Sequence, residues 1–157
     1  GDSAGGGLAM ATLLALRDRG RELPAVAVVL SPWVDLVDCD HTTSPQAPLD
    51  PIIHPEGLVR MRDLYAGGAD PAQALLSPVR AELSELPPLL IQVGESEVLL
   101  AEGERLAARA EAAGVEVTLD RWPEMPHVWQ VFAGRVPEAT TAVERIGRFV
   151  AGRLGRT

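Results

Sequence analysis

The sequence predicts an α/β domain, a parallel sheet with helices packed against it, and three observations carry the prediction. Helical and strand patterns alternate along the chain, an order that right-handed crossovers convert into parallel strands. Two strand candidates, Ala25 to Leu30 and Pro88 to Val93, are continuous apolar runs of the kind covered on both faces. Two of the helical patterns close on glycine, Gly20 and Gly114, at the place where a glycine caps a helix. The chain has 157 residues, 46% of them apolar and 23% charged, enough for one domain with its own core.

Taken in order, Leu8 to Arg19 is rich in Ala and Leu and reads as a mostly buried helix ended by Gly20. Ala25 to Leu30 follows Pro24 as a strand, and Ser31-Pro32-Trp33 terminates it. Asp35 to Pro55 has no periodicity and several prolines, the mark of a functional loop or part of a lid. Glu56 to Tyr65 is a short helix with Pro55 ahead of it, broken by Gly67-Gly68-Ala69-Asp70-Pro71. Pro88 to Val93 is the second strand and ends at Gly94; Leu99 to Ala113 is an amphipathic helix. Val115 to Trp122 alternates apolar and polar residues, so a third strand is expected near an edge. After the loop Pro123 to Pro126, Pro137 to Leu154 is the last helix, with proline in its first turn.

Chemistry enters at Gly1-Asp2-Ser3-Ala4-Gly5, a G-x-S-x-G pattern followed directly by a helix. That pattern sets a serine on a strained turn between strand and helix, with its hydroxyl presented to substrate. The helix behind it brings amide N–H groups and a positive dipole end, which suit a developing oxyanion. A serine hydroxyl attacks a carbonyl only when a base takes its proton and an acid orients that base. Of the three histidines, His41 and His54 lie in the irregular insert and are expected to be solvated. His127 follows the third strand, where parallel α/β sheets place their ligands. The acid is sought at the end of the second strand, where Glu95 and Glu97 both lie within reach and spacing alone does not separate them. Glu102, further on, is expected in a first helical turn, favoured there by the helix dipole without a catalytic role.

Composition excludes other classes. A net charge of −8 argues against nucleic acid or an anionic membrane as partner. Single Cys39 permits neither an intrachain disulfide nor a cysteine-based zinc site and fits a reducing, cytoplasmic setting. Asp38-Cys39-Asp40-His41 lacks a second ligand pair at metal-binding spacing, so no metal is expected. The apolar stretch Leu8 to Leu16 is too short to span a bilayer. Gly5-Gly6-Gly7 belongs to no phosphate-binding glycine motif.

Nearly the whole chain resembles the bacterial hormone-sensitive-lipase-like carboxylesterases of the α/β-hydrolase fold. The resemblance is carried by Gly1-Asp2-Ser3-Ala4-Gly5-Gly6, Leu30-Ser31-Pro32-Trp33-Val34-Asp35-Leu36, Ser77-Pro78, Pro87 to Gly94 and Met125-Pro126-His127. It implies Ser3 as nucleophile, His127 as base and the Ala4 backbone N–H as an oxyanion-hole donor. The family's Gly-x-x-Asp-x-Leu pattern is matched by Gly94-x-x-Glu97-x-Leu99 with Glu in place of Asp, which favours Glu97 as the acid. It further implies short to medium acyl esters as small-molecule substrates, no cofactor, and a cap that includes residues 36–77. By the same resemblance the chain corresponds to the C-terminal part of the fold. The first five strands and a His-Gly-Gly-Gly oxyanion loop would lie upstream of Gly1. Loss of one oxyanion donor costs on the order of 10²–10³ in rate, and a bare sheet edge invites aggregation. The isolated chain is therefore expected to fold poorly and turn over little. The alternatives are a non-catalytic binding relative, which keeps the scaffold alone, and an amidase or peptidase with the same triad.

Overall fold

The run Leu89–Gly94 (β2) forms the middle of the sheet, and all six of its residues are buried. In the computed structural model, which describes residues 1–39 and 41–155, it pairs in parallel with Ala27–Leu30 (β1) on one side and Val117–Trp122 (β3) on the other. Val29, Ile91 and Leu119 lie in register across the three strands. Side chains alternate along a strand, so Leu89, Ile91 and Val93 point to one face of β2 and Gln92 to the other.

The first face carries the main core. Met10, Leu13 and Leu14 of the helix Ala4–Asp18 (α1) and Leu106, Ala107 and Ala110 of Leu100–Ala112 (α3) pack with Val29, Leu89, Ile91 and Val93. On the opposite face, Gln92 donates to the backbone carbonyl of Ala142 in Pro137–Arg153 (α4) and to the Asp120 carboxylate. Gln130 donates to the Gln92 side-chain oxygen. A buried amide so bonded ties α4 and the segment after β3 to the central strand. The helix Pro55–Ala66 (α2) sits outside this layer, with Leu58 seated against Trp33, Leu36 and Leu99.

Expected and observed elements agree in type and order, and their bounds differ by a few residues. The largest shift is at α1, which starts at Ala4 rather than Leu8, because Gly5-Gly6-Gly7 is helical. Low helix propensity hides such a start. A glycine is required at position 7, where a Cβ would overlap the Trp33 carbonyl oxygen. The other difference is β1, expected to be covered on both faces but half-buried at three of its four residues. Among the described residues its outer edge is bonded near its end, where Gly1 and Ser3 exchange backbone hydrogen bonds with Val28 and Leu30. The edge position of β3 is as expected, with exposed and buried residues mixed along it.

Leu106 is fully buried between α3 and the sheet, whereas Leu64 on α2 is 74% exposed. Leu106→Ala is expected to lower unfolding free energy by about 2–5 kcal/mol, and Leu64→Ala to change it by no more than about 0.5 kcal/mol. Denaturant titration of the two variants checks this, and equal losses would contradict the packing described.

Candidate active site

The chain enters the structure alongside the end of β1, turns at Ser3 and begins α1 with the next residue. Ser3 has φ 50° and ψ −124°, angles that favour glycine over any residue with a Cβ. Such a conformation costs on the order of 1–3 kcal/mol and persists where neighbours over-determine it. Here they do: the Ser3 N–H donates to the Leu30 carbonyl (2.9 Å), and the Ser3 carbonyl accepts from the Trp33 N–H (3.0 Å). The strain is that of the G-x-S-x-G turn, and it lifts the serine side chain out of the path of both strand and helix.

At the end of β2 the chain makes a tight turn into α3, and Glu97 lies in it with no exposure to solvent. Its Oε1 accepts from the Gly94 N–H (3.3 Å), and its Oε2 lies 3.1 Å from His127 Nδ1. Burial pushes the Glu97 carboxyl above the usual range, while the neighbouring His127 and Ser31 side chains act in the opposite direction. Glu95, the other acid that spacing left open, points to Arg121 at 3.2 Å and is partly exposed. The turn thus delivers Glu97 to the histidine and sends Glu95 to the surface.

His127 is 4% exposed in the loop after β3. That loop is stitched to the β2 turn by the Glu95 N–H on the Trp122 carbonyl (2.9 Å) and the Ser96 N–H on the Met125 carbonyl (3.1 Å). The approach is so close that a Cβ on Gly94 would overlap the Met125 carbonyl oxygen. The next residue, Val128, is left-handed (φ 50°, ψ 42°), and its N–H donates to Ser31 Oγ (3.0 Å). Ser31 follows directly on Leu30, the residue that accepts from Ser3. Serine turn, acid turn and histidine loop therefore meet at the exits of β1, β2 and β3, at one end of the sheet.

One expectation needs correction. Glu102 lies in the first turn of α3, as expected, and is in addition a buried acceptor, 1% exposed. Its carboxylate takes the N–H groups of Val34 (2.7 Å) and Asp35 (2.9 Å) and lies 2.9 Å from His41 Nε2. His41 is accordingly a partner in a buried pair, its side chain 11% exposed, and not a solvated loop residue. The physical reason is that the loop after β1 folds over the start of α3, and its buried amides need an acceptor. His54 is exposed, as expected. Asp38 pairs with Arg80 (2.6 Å), Cys39 Sγ accepts from Arg62 (3.3 Å), and Asp40 lies outside the described residues.

Sequence reasoning missed three further residues of this region. Asp35, almost fully buried, faces Arg80 (2.9 Å) and Arg105 (2.7 Å). Burial opposes its charge, but the two guanidiniums and the Val37 and Asp38 amides outweigh that and hold the carboxyl below the usual range. Asp50 accepts from Ile52 and Ile53 in the insert and from the Val98 N–H (2.9 Å), which joins the insert to the Glu97 turn. Ser31 is the third. Ser31 and Asp35 stand in the Leu30 to Leu36 stretch that carries the resemblance, which assigned them no role, and Asp50 has no motif of its own.

An apolar cavity of about 310 Å³ opens beside the start of α1. Gly5, Leu8 and Trp33 form one wall, and Met61, Tyr65 and Leu76 from α2 and the segment after it form the other. Trp33 packs against the Leu36 and Leu58 cluster and lines this cavity as well. Trp122 and Trp129 pack on each other at 5.7 Å.

Residues 1–131 match the model of a family described as alpha/beta hydrolase fold. The chain is 45% identical over 157 residues to an acetyl-hydrolase of Streptomyces hygroscopicus, an alignment covering 99% of this chain and 52% of that protein. It is 34% identical over 161 residues to esterase LipU of Mycobacterium tuberculosis, covering 99% of this chain and 54% of the relative. A solved esterase from the bacterial hormone-sensitive lipase family superposes with a TM-score of 0.92 at 47% identity, over 98% of this chain and 52% of that one. The chain spans about half the length of the curated relatives it matches.

Burial raises the Glu102 carboxyl above its value in the unfolded chain, with the bonds from His41, Val34 and Asp35 opposing. The folded state then keeps the proton over an interval of pH in which the unfolded state has lost it. This group's contribution therefore makes stability fall as pH rises through that interval and level off above it. Glu102→Gln keeps an acceptor oxygen for the two amides and removes the titration. Its stability relative to the unmodified chain is expected to increase between about pH 4 and about pH 8, read as the difference in denaturant midpoints. A difference that stays flat or decreases over that range would contradict the assignment.

Proposed function

The chain belongs to the alpha/beta hydrolase fold family, and from that premise we propose that it supplies the serine, histidine and acid of a carboxylic-ester hydrolase. One observation carries the reading: a buried Glu97–His127 pair at the sheet end that also holds the strained Ser3 turn. In this reading Ser3 Oγ attacks the ester carbonyl while His127 Nε2 takes its proton. Glu97, bonded to Nδ1, keeps the ring in the required tautomer and stabilises the imidazolium that forms. The tetrahedral oxyanion is held by the Ala4 N–H, the first of α1, where the helix dipole favours negative charge. His127 then protonates the departing alcohol, leaving an acyl group on Ser3. In the second half His127 takes a proton from water, the hydroxide attacks the acyl-enzyme, and the acid leaves as Ser3 recovers its proton.

The apolar cavity beside Ala4 and Gly5 fits the carbon chain of a short to medium acyl or alcohol group, and the absence of a charged lining residue argues for a neutral ester. We read residues 36–77 as part of a cap over that cavity, since Met61, Tyr65 and Leu76 form its outer wall. Further oxyanion donors are assigned to the part of the fold that the relatives have and this chain does not match. Among the described residues no helix is long and apolar enough to cross a membrane. The acidic balance argues against nucleic acid as a partner, and the buried free Cys39 is consistent with the cytoplasm.

A fluorophosphonate ester reports on the arrangement directly, because it labels a serine only where base and oxyanion donor are assembled. Intact mass is expected to rise by one adduct, with none on Ser3→Ala. His127→Gln is expected to slow labelling on the order of 10²–10⁴-fold, the usual worth of a general base. Equal labelling of Ser3→Ala would place the reactive group elsewhere, and no labelling of the unmodified chain would show that these residues do not assemble a reactive serine by themselves.

A further inference from the structure

We propose that Ser31 is a positioning residue for the Glu97–His127 pair, its buried hydroxyl oxygen accepting from the Val128 N–H (3.0 Å) and so holding the loop that carries His127. The proposal rests on the reading of His127 as the base and Glu97 as its orienting acid, and adds a residue that touches neither the serine nor the substrate.

Proton accounting sets the direction of the bond. A hydroxyl has one proton and two lone pairs. The Val128 amide is a donor, so Oγ accepts there. Ser31 has no solvent exposure, so water does not compete for this bond. Its own N–H donates to the Gln92 carbonyl (2.8 Å), fixing the residue to β2.

The backbone makes the case for the side chain. Ser31 has φ 46°, a left-handed conformation in which glycine is at ease and a Cβ is strained. A serine at such a site is explained by what its hydroxyl does. The partner at the far end is strained too: Val128 is β-branched and left-handed at φ 50°. Its N–H belongs to the peptide that joins it to His127, so the bond to Ser31 holds the backbone from which the imidazole projects. One hydroxyl thereby fixes the base loop relative to β1, whose last residue, Leu30, accepts from the Ser3 N–H.

Ser31→Gly and Ser31→Thr separate this role from a purely structural one. Glycine relieves the backbone and removes the hydroxyl; threonine keeps the hydroxyl and adds strain through its branched Cβ. Each variant is compared with the unmodified chain in two ways, by the rate of fluorophosphonate labelling at Ser3 and by the proton resonance of the His127 Nδ1–H, assigned with His127→Gln. Thermal melting shows which variants are folded at the working temperature. The expected result is that folded Ser31→Gly labels on the order of 10²-fold more slowly, as misplacement of a catalytic group by about an ångström does, and loses the Nδ1–H resonance to exchange. Ser31→Thr is expected to keep the resonance and regain most of the rate. Ser31→Gly with unchanged rate and resonance, or Ser31→Thr worse than Ser31→Gly on both, would overturn the proposal. If Ser31→Thr does not fold, the glycine variant decides alone. If the unmodified chain is not labelled at Ser3, these residues do not make a reactive serine by themselves and the rate comparison gives way to the resonance. The resonance in Ser31→Gly then still decides whether Ser31 holds the pair, its loss upholding the claim and its persistence overturning it.

Discussion

A carboxylate sealed from water at the end of a central strand must be given donors by the chain around it, and the Glu97 region follows from that demand. Glu97 has no exposure, and it is met by the Gly94 amide and the His127 ring. Each donor imposes a condition of its own. The histidine loop reaches the acid by passing directly over Gly94, where no side chain fits. Ser31 and Val128 both adopt left-handed backbone to complete the bridge between strand exits. A polar pair so buried adds little net stability over an apolar core of the same volume, so stability alone does not explain it; the proposed function gives it the orienting role.

The same solution recurs around it. Glu102 receives the amides of the loop after β1, Asp35 receives two guanidiniums, and Asp50 clamps the insert to the acid turn through Val98. Loops at the carboxyl ends of parallel strands carry many amides with no strand or helix partner, and buried acids are compact acceptors for them. The insert is thereby linked to the Glu97 turn through Asp50, and to the start of α3 through His41 and Glu102. The apolar cavity lies between that insert and the first turns of α1.

Much of this could be read in the amino-acid order, and what could not has physical reasons. Strand and helix patterns placed the strands and the longer helices, because burial on the sheet imposes period and length on Leu89–Gly94 and on α3, but not the single turns Pro78–Arg80 and Trp129–Phe132, which are too short to show a period. The turn at Ser3 was legible because a serine between glycines ahead of a helix is chemically specific. The choice between Glu95 and Glu97 was not, since both sit within one turn and only its direction decides which reaches His127; the Glu-for-Asp match of the family pattern pointed to Glu97, the one that lies 3.1 Å from His127 Nδ1. His41–Glu102 escaped notice because its two halves are 61 residues apart and each has a bland local reading. Ser31 stands in the Leu30 to Leu36 stretch, but its conformation was not legible there, because a positive φ at a non-glycine residue is imposed by tertiary contacts.

The central claim, that Glu97 and His127 act as one unit upon Ser3, is tested most directly by a double-mutant cycle on the rate of fluorophosphonate labelling. Groups that work as a unit are non-additive, since removal of one already forfeits what the other contributes. Glu97→Gln and His127→Gln should each slow labelling, and the double variant should be no slower than His127→Gln alone. Losses that simply multiply in the double variant would show two independent contributions and contradict the account.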